Sequence, residues 1–231
     1  MFNTYLFRLI IRILVLIGGC ILFFRAPNLL EITSIDFFSK PSLLHIVWVY
    51  LLVIILFSLF PKAKVSVGSL KYLKKYYKSV DCNVAELKAY KKKMDHKALI
   101  IAIVWVLFNT PFWILYLQGF ISSKILLLLV LLFAVADIIC VLFFCPFQLF
   151  LRNKCCTTCR IFVWDHILMV FPLVPVVGFF SWSLIIISLF FLVVWETSWH
   201  RHPEYFWENS NQTLKCSSCS DRLCKVKRSI Y

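Results

Sequence analysis

Residues 162–195 read FVWDHILMVFPLVPVVGFFSWSLIIISLFFLVVW, with Cys156-Thr157-Thr158-Cys159 ahead of them and Cys216-Ser217-Ser218-Cys219 behind. A membrane crossing takes about 20 mostly apolar residues. The stretch divides near Gly178 and Ser181 into two apolar runs, 162–177 and 179–195. It can therefore cross twice and return the second cysteine pair to the side of the first. Pro172 and Pro175 bend the first run, so a re-entrant pair that never fully crosses is the alternative. Under either reading both ends face one side, and four thiols meet at one membrane surface.

The rest of the chain has the same character. Of 231 residues 61% are hydrophobic, with 23 Phe and 8 Trp, where a soluble domain carries closer to half. The excess is gathered in blocks at 5–24, 43–60, 98–117 and 125–144, ahead of the two runs already described. This predicts an all-α integral membrane protein of about six transmembrane helices. Residues 1–145 form four helices with a basic loop at 61–97, and 146–231 form the cysteine-flanked hairpin and a Cys-rich tail. Ile17-Gly18-Gly19-Cys20 has the form of a lipoprotein cleavage box, but residues 21–24 continue the apolar run, so a retained helix is expected.

The net charge of +14 is one-sided. With six spans, the amino terminus, the 62–97 loop, residues 152–160 and the tail hold 22 of the 25 Lys and Arg, leaving Arg25, Lys40 and Lys124 opposite. The positive-inside rule puts both termini in the cytoplasm, at the plasma membrane if the chain is bacterial. The basic balance is thus a topological signal, and no nucleic acid partner is expected. Asn211-Gln212-Thr213 would stay unglycosylated on that side. Within the basic loop, Leu70, Leu73, Tyr77 and Val80 share a helical face, while Lys71, Lys74, Lys75 and Lys78 fall elsewhere. The pattern reads as an interfacial helix on anionic lipid, or equally as a solvated basic hairpin, and an acidic membrane or cytosolic protein partner is a further option. Asn83 with Glu86 makes a capping box that starts a helix running through Lys91, Lys92 and Lys93 into the third span. Arg8 and Arg12, four apart near the start of the first span, would snorkel to the interface.

The cysteines carry the strongest chemical signal. Cytosolic thiols stay reduced, and Cys-x-x-Cys aims two thiolates at one ion, so two such pairs close a tetrahedral structural zinc site. Cys156, Cys159, Cys216 and Cys219 are the expected ligands. The 56 residues between Cys159 and Cys216 exceed the roughly 15–20 of a soluble ribbon, but a helical hairpin spends its length out and back. Cys155 and Cys224 offer six thiols for four places, and Arg160, Lys154, Lys215 and Arg222 would offset the thiolate charge. Iron or an iron–sulfur cluster is the alternative cofactor; redox thiols, unshared thiols or palmitoylation of Cys155 and Cys156 are duller ones.

Two polar groups remain. Asp137 lies deep in the fourth span and Asn109 in the third, at depths differing by about 5 Å. A hydrogen bond between them, with Thr110 near, is expected; a proton or ion site is the alternative. Asp165 and His166 on one side of the hairpin, and Glu196, His200 and His202 on the other, form a collar at one depth. It reads as ion pairs where helices leave lipid, anchored by Trp164, Trp195 and Trp199, or as a site for a catalytic metal or a lipid head group.

Arg201-His202-Pro203-Glu204-Tyr205 is similar to the Arg-His-Pro-x-Tyr-x-Gly segment of integral-membrane isoprenylcysteine and phospholipid methyltransferases. In that family the segment lies at the cofactor pocket and further membrane helix follows. Here Trp207 stands where the glycine belongs and a Cys-rich tail follows, so the five-residue likeness assigns nothing. No nucleophile, phosphate loop or triad stands out. The expectation is a non-catalytic accessory, scaffold or small transport-related protein. The competing expectation is a membrane enzyme, either redox through a cysteine-bound iron centre or acting on lipid head groups at the collar.

Overall fold

The computed structural model describes residues 2–30, 32, 37, 42–57, 67–153 and 155–218. Lys154, Cys219, Arg222 and Cys224 lie outside the described residues, as does the end of the second predicted span. The helices are α1 (Phe2–Arg25), α2 (Leu43–Phe57), α3 (Val67–Leu70), α4 (Val84–Leu117), α5 (Ser123–Leu142), α6 (Pro146–Leu151), α7 (Asp165–Val170) and α8 (Phe179–Arg201). Short 3-10 turns connect them, and among the described residues there is no strand, only an isolated bridge between Ser79 and Asn211. Among the described residues four helices are long and apolar enough to cross a membrane: Thr4–Arg25, Val84–Leu117, Ser123–Leu142 and Phe179–Arg201.

Helix ends follow local chemistry. Asn83 caps α4, its side chain accepting from the Ala85 N–H at 2.9 Å, and Glu86 sits in the first turn where the helix dipole favours it. From there α4 runs 34 residues without a break, as the sequence predicts. It stops at Gly119, whose φ of 77° only glycine adopts cheaply, with Gly119 N–H donating to Tyr116 O at 3.0 Å and Phe120 N–H to Leu115 O at 2.9 Å. Pro146 opens α6 at a position where its missing N–H leaves nothing unpaired.

The packing is inside-out for a water-soluble protein. On α8, Ile186, Leu189, Phe190 and Val193 are exposed, while Ser181 and Ser188 are buried beside Leu184, Phe191 and Trp195. On α4, only Met94, Ala98, Ile101 and Asn109 are buried, and Leu99, Ile103, Leu107 and Leu117 are among those facing out. Continuous apolar faces of this extent mark a lipid-contacting surface, and small polar residues belong at helix contacts within a bilayer.

Side-chain bonds sort the connections into two ends. At one end, which we call the thiol end, Trp199 donates to Asp95 at 2.6 Å, Lys97 to Leu151 O at 2.7 Å, and Trp195 to Arg160 O at 2.9 Å. At the far end Trp48 of α2 donates to Ser183 of α8 at 2.8 Å, and Phe37 stacks between His45 and Phe179. The core lies between, with Leu126, Leu127 and Val130 of α5 fully buried at its centre.

Two expectations need correction. Residues 162–177 do not form one long helix. A 3-10 turn (Phe162–Trp164), α7 and a second 3-10 turn (Phe171–Leu173) succeed one another, because Pro172 has no N–H to continue the helical ladder. Nor does the basic loop form an interfacial helix. After α3 the chain turns, makes a 3-10 turn over Lys74–Tyr76 and extends into the Ser79 bridge, so the 3.6-residue face of Leu70, Leu73, Tyr77 and Val80 never assembles.

Candidate functional site

At the thiol end, Cys156 opens a 3-10 turn, Cys156–Thr158, that closes with the Cys159 N–H donating to Cys156 O at 3.0 Å. Cys155 caps this turn, its sulfur accepting from the Thr157 N–H at 3.3 Å and lying 2.6 Å from the Thr157 hydroxyl. Cys216 opens a like turn, Cys216–Ser218, with the Ser218 N–H donating to Lys215 O at 3.0 Å. The first turn packs on α3, and so does the Gln212–Leu214 turn that leads into the second. None of the eight described cysteines is in a disulfide. Among the described residues no three of His, Cys, Asp and Glu gather closely enough to hold a metal ion; Cys219 and Cys224 fall outside them.

Lys71 corrects its expected place on lipid. It is fully buried, donating to Cys159 O at 2.9 Å and Thr157 O at 3.3 Å, with its ammonium 5.1 Å from the Trp195 ring and 5.2 Å from Phe206. Two carbonyls and two aromatic faces replace its water shell. Burial pulls its pKa down to about 7, with Cys159 opposing. Burial likewise pushes the Cys159 thiol up to about 12, and the Lys71 ammonium pulls it back. Lys74, Lys75 and Lys78 are exposed.

The predicted collar divides into separate groups. Glu196 takes both amino groups of Arg160, at 2.7 and 2.5 Å, and the Trp164 indole at 2.8 Å. Arg160 is 2% exposed, lies 3.6 Å from Asp95 and stacks over Trp199 at 4.3 Å. This bidentate pair ties the start of the hairpin to its end. His200 instead meets Lys91 at 3.3 Å, and His202 meets Glu204 at 3.0 Å and stacks on Tyr205. No catalytic constellation joins Glu196, His200 and His202 to Asp165 and His166, because Arg160 claims the glutamate and both histidines lie past it toward the surface.

Asp165 and His166 lie deeper, with Arg12 and Asp137. Arg12 does not snorkel: it is 9% exposed, donates to Ala134 O, and pairs with Asp137 at 2.6 Å. The expected Asn109–Asp137 bond is absent, since Asn109 donates to Trp105 O at 2.9 Å and Thr110 to Val106 O at 2.8 Å, each on its own helix. A buried carboxylate gains more from a full opposite charge than from an amide dipole. Asp137 and Asp165 stand between two cavities. The smaller, about 80 Å³, adjoins Arg8, Arg12 and His166. The larger, about 300 Å³, is lined by Trp105, Phe108, Phe133 and Phe147 together with thiols of Cys140, Cys145, Cys156 and Cys159.

Apolar helices of spanning length, an inverted surface and intramembrane charge pairing define an all-helical protein of the membrane type. No family model, no curated protein and no solved structure matches the chain.

Proposed function

We propose that the chain is a polytopic membrane protein of six crossings with both termini cytoplasmic, whose thiol end binds one zinc ion through Cys156, Cys159, Cys216 and Cys219. The ion clamps the last helical hairpin. The protein is a non-catalytic accessory, scaffold or small transport-related component, and exposed Lys74, Lys75 and Lys78 hold anionic lipid or an acidic partner beside it.

The observation that supports this reading is the likeness of the two cysteine turns. Each begins with its cysteine, each takes the 3-10 form a knuckle uses, and the first packs on α3 directly while the second reaches it through the Gln212–Leu214 turn. Arg160 with Glu196 holds the hairpin ends together, so the pairs need only a short reach. Lys71 beside Cys159 and Lys215 before Cys216 supply positive charge for a tetrathiolate. Metal must displace the proton of the buried Cys159 thiol, which ligation by zinc does directly.

Metal analysis of the full chain purified in detergent is the test. About one zinc per chain is expected, lost in Cys156→Ser and in Cys219→Ser together with much of the folded protein. Iron in place of zinc would turn the reading toward electron transfer; no stoichiometric metal would end it.

A further inference from the structure

We propose that the larger cavity is a binding site for an amphiphilic organic cation, with its apolar body against the aromatic wall and its positive charge between Asp137 and Asp165. The inference does not depend on the zinc reading.

The cavity lies between α4, α5, α6 and α7 and holds about 300 Å³. That is the lower end of the range for small-molecule sites, which are apolar with a few convergent polar groups. One wall is aromatic: Trp105 lies 5.0 Å from Phe133, 5.6 Å from Phe108 and 6.0 Å from Phe147, centroid to centroid. Aromatic faces present negative charge, and grouped around one space they recognise alkylated ammonium and similar soft cations. The charged side chains lining the cavity, among the described residues, are two carboxylates and no Lys or Arg.

The carboxylates separate this site from a plain lipid groove. Arg12 reaches Asp137 from the side of the smaller cavity at 2.6 Å, so Asp137 is already balanced. Asp165 accepts from its neighbour's N–H, His166, at 2.9 Å, and the nearby His166 ring lies 3.5 Å from the same oxygen. Arg8, at the mouth of the smaller cavity, stacks on Tyr5 at 5.6 Å. Among the described residues no Lys or Arg lines the aromatic cavity beside Asp165. An anion there would face two carboxylates in a low-dielectric space. A neutral chain would make no use of the two carboxyl groups that line the space. A cation meets a carboxylate and π faces together. Exposed Phe108 on α4 sits at the boundary between this space and the lipid-facing surface, so entry from the bilayer suits a molecule that partitions into it.

The test uses full-length protein in detergent and a pair of probes matched in size and opposite in charge, tetraphenylphosphonium and tetraphenylborate, with empty micelles as the blank. Saturable binding of one phosphonium per chain is expected, with the borate at least tenfold weaker. Asp165→Asn should weaken the phosphonium at least tenfold, and Phe147→Ala, which removes part of the aromatic wall and leaves the carboxylates in place, several-fold. Should Asp165→Asn fail to give a monodisperse protein, Phe147→Ala decides. Equal binding of both probes would mark a groove for neutral lipid and overturn the proposal. Phosphonium retention no greater than in empty micelles, or affinity unchanged in Phe147→Ala, would overturn it as well.

Discussion

Lys71 has exchanged its water for the carbonyls of Thr157 and Cys159 and the faces of Trp195 and Phe206. In Lys71→Met the stem stays and the donors go, so two carbonyls of the cysteine turn lose their partner. A buried polar group left unsatisfied costs about 1–3 kcal/mol, and a loss of that size is expected in denaturant unfolding of the detergent-purified protein. An unchanged midpoint would mean that the contact is incidental. Nothing in the local sequence marks Lys71 for burial, since its neighbours Lys74 and Lys75 are equally basic and remain outside. The partner of Asp137, by contrast, was within reach of simple arithmetic. Arg12 lies seven residues inside the first apolar run and Asp137 seven residues before the end of the fourth, so in antiparallel helices both stand about 10 Å deep. Depth alone also admits Asn109, and only the preference of charge for charge in lipid separates the two. The cysteine turns were legible because their spacing acts over three residues. The division of the collar was not, because it depends on Arg160 reaching across the hairpin to Glu196.

At the scale of the element, local chemistry fixes ends better than it fixes lengths. The Asn83 cap and the long α4 follow from capping and composition alone. The broken 162–173 segment follows from its proline, whose effect on crossing depends on what packs around it. The exit of α4 offers a clean measurement. A Cβ at Gly119 would meet nothing within 4 Å, so Gly119→Ala tests the positive φ alone. The expected cost is about 1 kcal/mol, read as a lowered unfolding midpoint with the same helical content. A substitution without effect would show that the turn relaxes to another form, and that the Phe120 N–H bond to Leu115 O can be surrendered at no cost.

For the whole molecule the question is how four helices of full length fit the proposal of six passages. Counting the four alone would leave the start of α4 and the end of α8 on opposite faces of the bilayer. Yet Trp199 bonds Asp95 and Arg160 grips Glu196, while Trp48 and Ser183 meet at the other end. The six-crossing proposal accommodates these bonds by having both short apolar segments, Leu43–Leu56 and Phe162–Leu173, carry the chain from one end to the other. At 1.5 Å per residue they reach about 20 Å of a roughly 30 Å hydrocarbon layer, and the deficit falls to flanking residues or to local thinning. Reporter insertion separates the two counts. An even number of crossings leaves the termini together in either case, so a terminal fusion alone decides nothing. The turn at Gly119 changes sides: six passages with cytoplasmic termini put it outside, four put it inside. Alkaline phosphatase inserted after Gly119 should be active, and a fluorescent protein fused after Tyr231 should glow in the cytoplasm. An inactive phosphatase beside a fluorescent terminus would remove two crossings. It would also contradict the bonds that join Asp95, Arg160, Glu196 and Trp199 at one end.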